Sequence, residues 1–376
     1  MTNMQILRIK ANHYKNCSNG LHIDFVPTAR KTEEDKTYEL NQINDSLFVF
    51  STTAIVGKNA SGKTSLLKLI ENVYRILGSF QLEDELMSIS GTQLEITFYH
   101  ENRLFRYETE LVRQNNLGKN LSFTQERIFV SDYFKSKSKL IFSSEIYTEL
   151  KLKRELPDNI SILFYILKER KNYAYYYDDL KDQDDMLHAA YDFYKNHGIN
   201  KKYWKHILHL FDDNIMDLEE INSELFRLTY LDRSMDLSAK ELLTMLSSGT
   251  IKGIALYTAA IQALQEGSGF IIDEIENHFH KTLVENLISM FKDKAVNKKG
   301  AVLIFSTHYC ELLDLFGRND NIWISKSEKQ IILTNMYRDY SVRNDLLKSR
   351  KFYDDNFGTA VSYEMLMNLK RALMNE

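Results

Sequence analysis

The sequence predicts an α/β fold, a mixed and largely parallel sheet flanked by helices. Three observations predict it. An apolar run at 47–56, LFVFSTTAIV, leads through the glycine-bearing turn GKNASGKTS into the helical pattern LLKLIENVYRIL. Apolar strands at 269–273 (GFIID) and 301–308 (AVLIFSTH) alternate with helical segments. Two short strand patterns, at 322–325 and 330–334, follow them. Strands that alternate with helices are joined by crossovers and bury a sheet between helical layers.

Taken in order, residues 4–10 (MQILRIK) and 21–26 (LHIDFV) alternate apolar and polar positions, as paired strands do. Residues 28–45 are polar and charged and read as a loop. After the strand, turn and helix from 47 onward, TQLEITFY (92–99) and RLFRYETELV (103–112) read as a hairpin around His100-Glu101-Asn102. From 131 to 236, lysines, tyrosines and helical periodicity dominate, so this stretch reads as a helical insertion. MLSSGTIKG (245–253) then puts two serines and a glycine before the apolar run IKGIALYTAAIQAL. That is the pattern of a capped helix start. The strand at 269–273, a helix to about 293, the strand at 301–308 and a helix at ELLDLFG complete the series. The implied organisation is an N-terminal part of the core (1–130), a helical lobe (131–236) and a C-terminal part of the core (237–376).

Composition narrows the class without naming a function. With 44% hydrophobic and 27% charged residues, a soluble globular protein is expected. No apolar run reaches membrane-spanning length, and MTNMQILRIKANHY lacks the basic-then-apolar form of a signal peptide. Cys17 and Cys310 form no metal or disulfide pattern, so a cytoplasmic setting with no membrane partner is expected. A net charge of −4 excludes global electrostatic attraction to nucleic acid.

The chemistry lies in four motifs. Gly57-Lys-Asn-Ala-Ser-Gly-Lys63-Thr64 fits G-x-x-x-x-G-K-[ST]. Its glycines let the backbone wrap phosphates, Lys63 reaches the β- and γ-phosphates, and the Thr64 hydroxyl binds Mg²⁺. Asn59, Ala60, Ser61, Gly62 and Ser65 complete the expected ATP contacts. In GFIIDEIEN a strand ends in two carboxylates, Asp273 for Mg²⁺ and Glu274 as general base for the attacking water. AVLIFSTH ends in His308, expected beside the γ-phosphate. The serines of LSSGT either cap a core helix or open an anion site at its N-terminus.

The order GKNASGKT, LSSGT, IIDE, STH resembles the ABC-type ATPase heads, in particular the SMC-related and OLD-like branch and the compact bacterial AAA ATPases of anti-phage systems. In such heads an LSGGQ-like signature lies about 25 residues before the acidic pair, as LSSGT does here. The resemblance implies that Ser247, Ser248 and Gly249 contact the γ-phosphate bound to a second copy. It further implies an ATP-dependent head-to-tail dimer or higher oligomer and an ATPase that works with a separate effector such as a nuclease. Several positions depart from the family pattern. Asn12-His13-Tyr14 stands where these proteins commonly have Asn-Phe-Arg, and Asn277 and His280 replace the transporter-type Ser-x-x-Asp. Gln93 and Gln125 are the candidates for a glutamine loop. Two alternatives stay open. One is a RecF-like DNA-repair ATPase, with DNA contacts at 135-KSKSK-139, 151-KLKR-154 and 201-KKYWKH-206. The other is a scaffold that holds ATP without hydrolysing it.

Overall fold

The computed structural model describes residues 4–83, 89–113, 120–177, 183–196, 199–222, 224–277, 279–340, 342–343, 347–354, 357–358 and 363–374. The chain forms two compact units, Met1–Arg170 with Ser306–Glu376, and Lys171–Phe305.

The first unit opens with β1 (Gln5–Asn12) and β2 (Leu21–Asp24), which pair antiparallel as expected. Residues 28–45, read as a loop, are more structured than that. Helix α1 (Glu33–Tyr38) has a complete capping box between Thr32 and Asp35, and β3 (Leu40–Gln42) pairs with β4 (Phe48–Phe50). The capping box satisfies helix-end N–H groups in a segment whose charge suggested only solvation. This segment is tied down by Arg318, which is 2% exposed. Its guanidinium donates to Asp35, to Asp320 and to the Ala29 and Arg30 carbonyls.

Strand β5 (Thr52–Val56) is buried along its whole length and feeds α2 (Lys63–Ser79). The hairpin of β6 (Gln93–His100) and β7 (Arg103–Arg113) turns at Glu101 and Asn102, both at positive φ, as a two-residue hairpin turn requires. With β8 (Leu121–Asp132) and β9 (Thr148–Leu150) these strands form an antiparallel sheet in the order β2-β1-β6-β7-β8-β9. A single turn, α3 (Phe164–Leu167), follows.

The second unit opens with β10 (Ala174–Tyr177), then α4 (Gln183–Asn196) and α5 (Lys201–Phe211). Next come β11 (Ile215–Asn222), β12 (Leu225–Tyr230) and β13 (Arg233–Ser238), an antiparallel meander. The expectation of a helical insertion over 131–236 therefore needs correction. Within it α4 and α5 are the long helices, and strands, two 3-10 turns, the short α3 and irregular segments make up the rest of the described residues. Residues 174-AYYY-177 make a strand parallel to β14 (Gly269–Ile272). Aromatic residues suit a half-buried pleated surface better than a helix face. In the meander, Phe226 and Leu228 are fully buried, two residues apart. That period of two is masked in the sequence by charged neighbours.

Helix α6 (Ala239–Met245) leads to α7 (Ser248–Glu266), β14, α8 (Lys281–Lys292) and β15 (Val302–Thr307). Strands β10, β14 and β15 lie side by side, all parallel. Back in the first unit, ELLDLFG forms a 3-10 turn at Cys310–Leu315 rather than an α-helix. Strand β16 (Ile322–Ser327) lies parallel to β5, and β17 (Ile331–Asn335) pairs antiparallel with β16. Short helices α9 (Met336–Asp339) and α10 (Lys348–Tyr353), and α11 (Tyr363–Met374), end the described chain. The α/β class, with one central and mostly parallel sheet flanked by helices, is the one the sequence predicts. Among the described residues no helix is long and apolar enough to cross a membrane.

Candidate functional site

The phosphate loop is built by its neighbours. In the β5–β16 register Ile322, Trp323 and Ile324 face Ala54, Ile55 and Val56, so Ser325 falls beside Gly57. The Ser325 hydroxyl donates to the Ser61 carbonyl at 2.7 Å, and a Cβ on Gly57 would collide with the Ser325 carbonyl and the Ser61 hydroxyl. A Cβ on Gly62 would collide with the Ile331 side chain, and Gly62 has φ +93, where a side chain is strained anyway. Ala60 is also left-handed, at φ +61. Left-handed residues recurring within one loop turn backbone N–H groups to a common side and make a concave anion site.

The first turn of α2 has no side-chain cap and no acidic residue. Its positive end is therefore not neutralised by its own side chains. Lys63 is 5% exposed, and its ammonium donates to the Gly57 and Lys58 carbonyls at 3.0 and 3.2 Å. Thr64 is exposed at the helix start. The Ser61 hydroxyl is buried without a hydrogen-bond partner. A cradle closed to any Cβ, an orphaned hydroxyl and a cation held inside the loop fit a polyphosphate. Asn59 is exposed and Ser65 half-buried, and the Ser65 carbonyl accepts the Tyr14 hydroxyl at 3.0 Å.

Sequence reasoning missed Ser325 and Ile331, and read Tyr14 only within the departure Asn12-His13-Tyr14. The signal for the first was a small polar residue inside the apolar strand IWIS. The loop before β2 is sewn to the same hairpin, because Ser18 N–H donates to Ile331 O and Ile331 N–H to Asn16 O. Cys17 in that loop is buried, which pushes its thiol up to about 11, out of nucleophilic range.

LSSGT proves to be both a capped core helix and an exposed helix start. Ser247 is the N-cap of α7, and its hydroxyl accepts from Thr250 N–H at 3.0 Å. From Thr250 to Leu264 almost every residue of α7 is buried, whereas Ser247 and Ser248 are exposed and Gly249 half-buried. Gly253 lies so close to the Phe211 ring of α5 that a Cβ would overlap it. Tyr257 donates to the Leu283 carbonyl, and burial pushes its hydroxyl up to about 12. The first turn of α7 carries no acidic residue.

Asp273 and Glu274 leave the fully buried strand β14 half-exposed. Glu274 has φ +48, a backbone conformation that is costly for a residue with a side chain. His308, exposed just after β15, sets its ring edge-on to Tyr309 at 4.8 Å. The Thr64 hydroxyl in the first unit and the Asp273 carboxylate in the second are each a hard oxygen donor of the kind that suits Mg²⁺. No cluster of three or more His, Cys, Asp or Glu side chains suited to a metal occurs among the described residues.

The remaining candidates are spoken for. Gln93 and Gln125 line a cavity of about 490 Å³ on the antiparallel sheet, with Lys10, Glu95, Glu108 and Arg127. The Gln125 amide donates to Glu110. In 201-KKYWKH-206, Lys201 pairs with Asp217 and Glu219, Lys205 pairs with Asp217, and Trp204 is fully buried. Arg154 pairs with the buried Glu126, Lys153 with Glu155, and the Lys137 ammonium donates to Ser131. His280 caps α8.

A family model described as "AAA domain, putative AbiEii toxin, Type IV TA system" matches residues 52–314, well over half of the chain. The match spans the phosphate loop, LSSGT, the acidic pair and His308. No curated protein matches.

Proposed function

The chain belongs to this AAA-domain family, and on that footing we propose that it is an ATP-hydrolysing head of ABC type. In this reading it resembles the SMC-related and OLD-like branch and pairs head to tail with a second copy around ATP. The single observation that carries the pairing is α7: a long buried helix whose only exposed part is its serine-capped start, without an acidic residue in the first turn. A helix start of that kind is an anion site available to a partner's phosphate.

The proposed roles follow from each residue's chemistry. The loop N–H groups from Asn59 to Ser65 and the Lys63 ammonium hold the β- and γ-phosphates. The Thr64 hydroxyl and the Asp273 carboxylate would hold Mg²⁺, which would supply positive charge against the phosphates. Glu274 takes a proton from the attacking water, and His308 donates a hydrogen bond to the γ-phosphate. Ser247, Ser248 and Gly249 serve the phosphate of the other copy. ATP then joins two heads, and its hydrolysis releases them.

The proposed role in the cell is that of sensor or scaffold for a separate effector in an anti-phage, abortive-infection system, in a cytoplasmic setting. The family's description names a putative AbiEii toxin of a Type IV TA system, which is in keeping with a defence setting. The stretches suggested for DNA contact lend no comparable support, since Lys201, Lys205 and Arg154 already have acidic partners.

Light scattering on the Glu274→Gln protein, with and without ATP and Mg²⁺, tests the reading. The expected result is a doubling of mass on ATP that Ser247→Arg abolishes. A mass indifferent to ATP and to Ser247→Arg would overturn the head-to-tail pairing.

A further inference from the structure

Glu274 is held by its own turn. Asn277 Nδ2 donates to Glu274 Oε2 at 2.7 Å, and Asn277 N–H donates to the Glu274 carbonyl at 2.9 Å. The two residues between them, Ile275 and Glu276, are 1% and 6% exposed and pin the turn to the interior. Glu274 and Asn277 are both half-buried, and Glu274 bears the left-handed backbone at φ +48. A non-glycine residue keeps such a conformation only where its surroundings over-determine it. Here a backbone bond fixes the turn, while a side-chain bond fixes where the carboxylate points.

From this geometry we infer that Asn277 is a positioning residue for hydrolysis. Its bond to Oε2 aims the Glu274 carboxylate, which in this role receives the proton of water. The inference rests on Glu274 being the general base. An amide suits the task because it donates without titrating. A carboxylate of the same shape at 277 cannot donate, and it would repel Glu274.

The test is Asn277→Asp beside Asn277→Ala, measured for both turnover and ATP affinity. Aspartate has the shape of asparagine, so a residue needed only for packing or turn formation tolerates it. A residue needed as donor does not. Both variants are expected to lose roughly ten- to a hundredfold in kcat, the usual worth of a hydrogen bond to a charged group. ATP affinity and melting temperature stay near those of the parent protein. In a Glu274→Gln background, adding Asn277→Asp is expected to change turnover no further, because the aimed base is already gone. Parent-like kcat in Asn277→Asp, with Glu274→Gln inactive, would overturn the role of Asn277 alone. Full turnover by Glu274→Gln would instead remove the assignment of Glu274 as base, and this inference with it.

Discussion

Single residues decide whether the phosphate loop is ready to bind. Gly57 and Gly62 are glycines for different reasons. Gly57 faces a neighbouring strand's backbone, whereas Gly62 both faces Ile331 and sits at positive φ. Ser325 donates to the loop's interior carbonyl. Replacing it with alanine leaves that buried carbonyl unpaired, at a cost of roughly 1–3 kcal/mol. Part of that cost falls on the bound geometry, so Ser325→Ala is expected to weaken ATP binding about tenfold at unchanged kcat. Titration with a fluorescent ATP analogue checks this, and unchanged affinity would remove Ser325 from the site. The motif G-x-x-x-x-G-K-T was legible from residue types alone. Ser325 was not, because nothing in a sequence says which strand lies beside the loop.

At the scale of the element, α7 has two separable jobs. Its cap stabilises the helix, and its Gly253 lets α5 approach. Ser247→Ala is expected to cost about 1 kcal/mol of stability, the usual price of an N-cap. Gly253→Ala is expected to cost more, about 1–3 kcal/mol, because the added methyl meets the Phe211 ring. Equilibrium denaturation of both variants checks the ranking. Equal stabilities would mean that the α5–α7 contact is looser than the geometry indicates. The cap was legible as S-S-G before an apolar run. The role of Gly253 was not, because it depends on Phe211, far away in sequence.

For the whole molecule, charge bears on the proposed choice of partners. The net charge is −4, and the basic stretch on α5 is matched by acids on β11. Phosphate contacts made by free lysines give a steep salt dependence. Replacing Lys201 and Lys202 together by glutamate is therefore expected to leave any DNA binding and its salt slope unchanged. Fluorescence anisotropy of labelled duplex and single-stranded DNA across salt concentrations measures it. A loss of binding and a shallower slope would put the DNA-repair reading, the alternative, ahead of the proposed one.

The sequence by itself determined the α/β class, the phosphate loop, the capped start of α7 and the acidic pair at the end of β14. Each is written in a contiguous stretch, where local periodicity or a short motif carries the physics. Only the tertiary structure decided that 174-AYYY-177 is a parallel strand beside β14 and that 215–238 is a meander. It alone decided that Ser325 and Ile331 brace the phosphate loop. These features rest on pairings between residues distant in the chain. A pleated strand with charged neighbours and a solvated helix can share one composition until a partner strand fixes which face is buried.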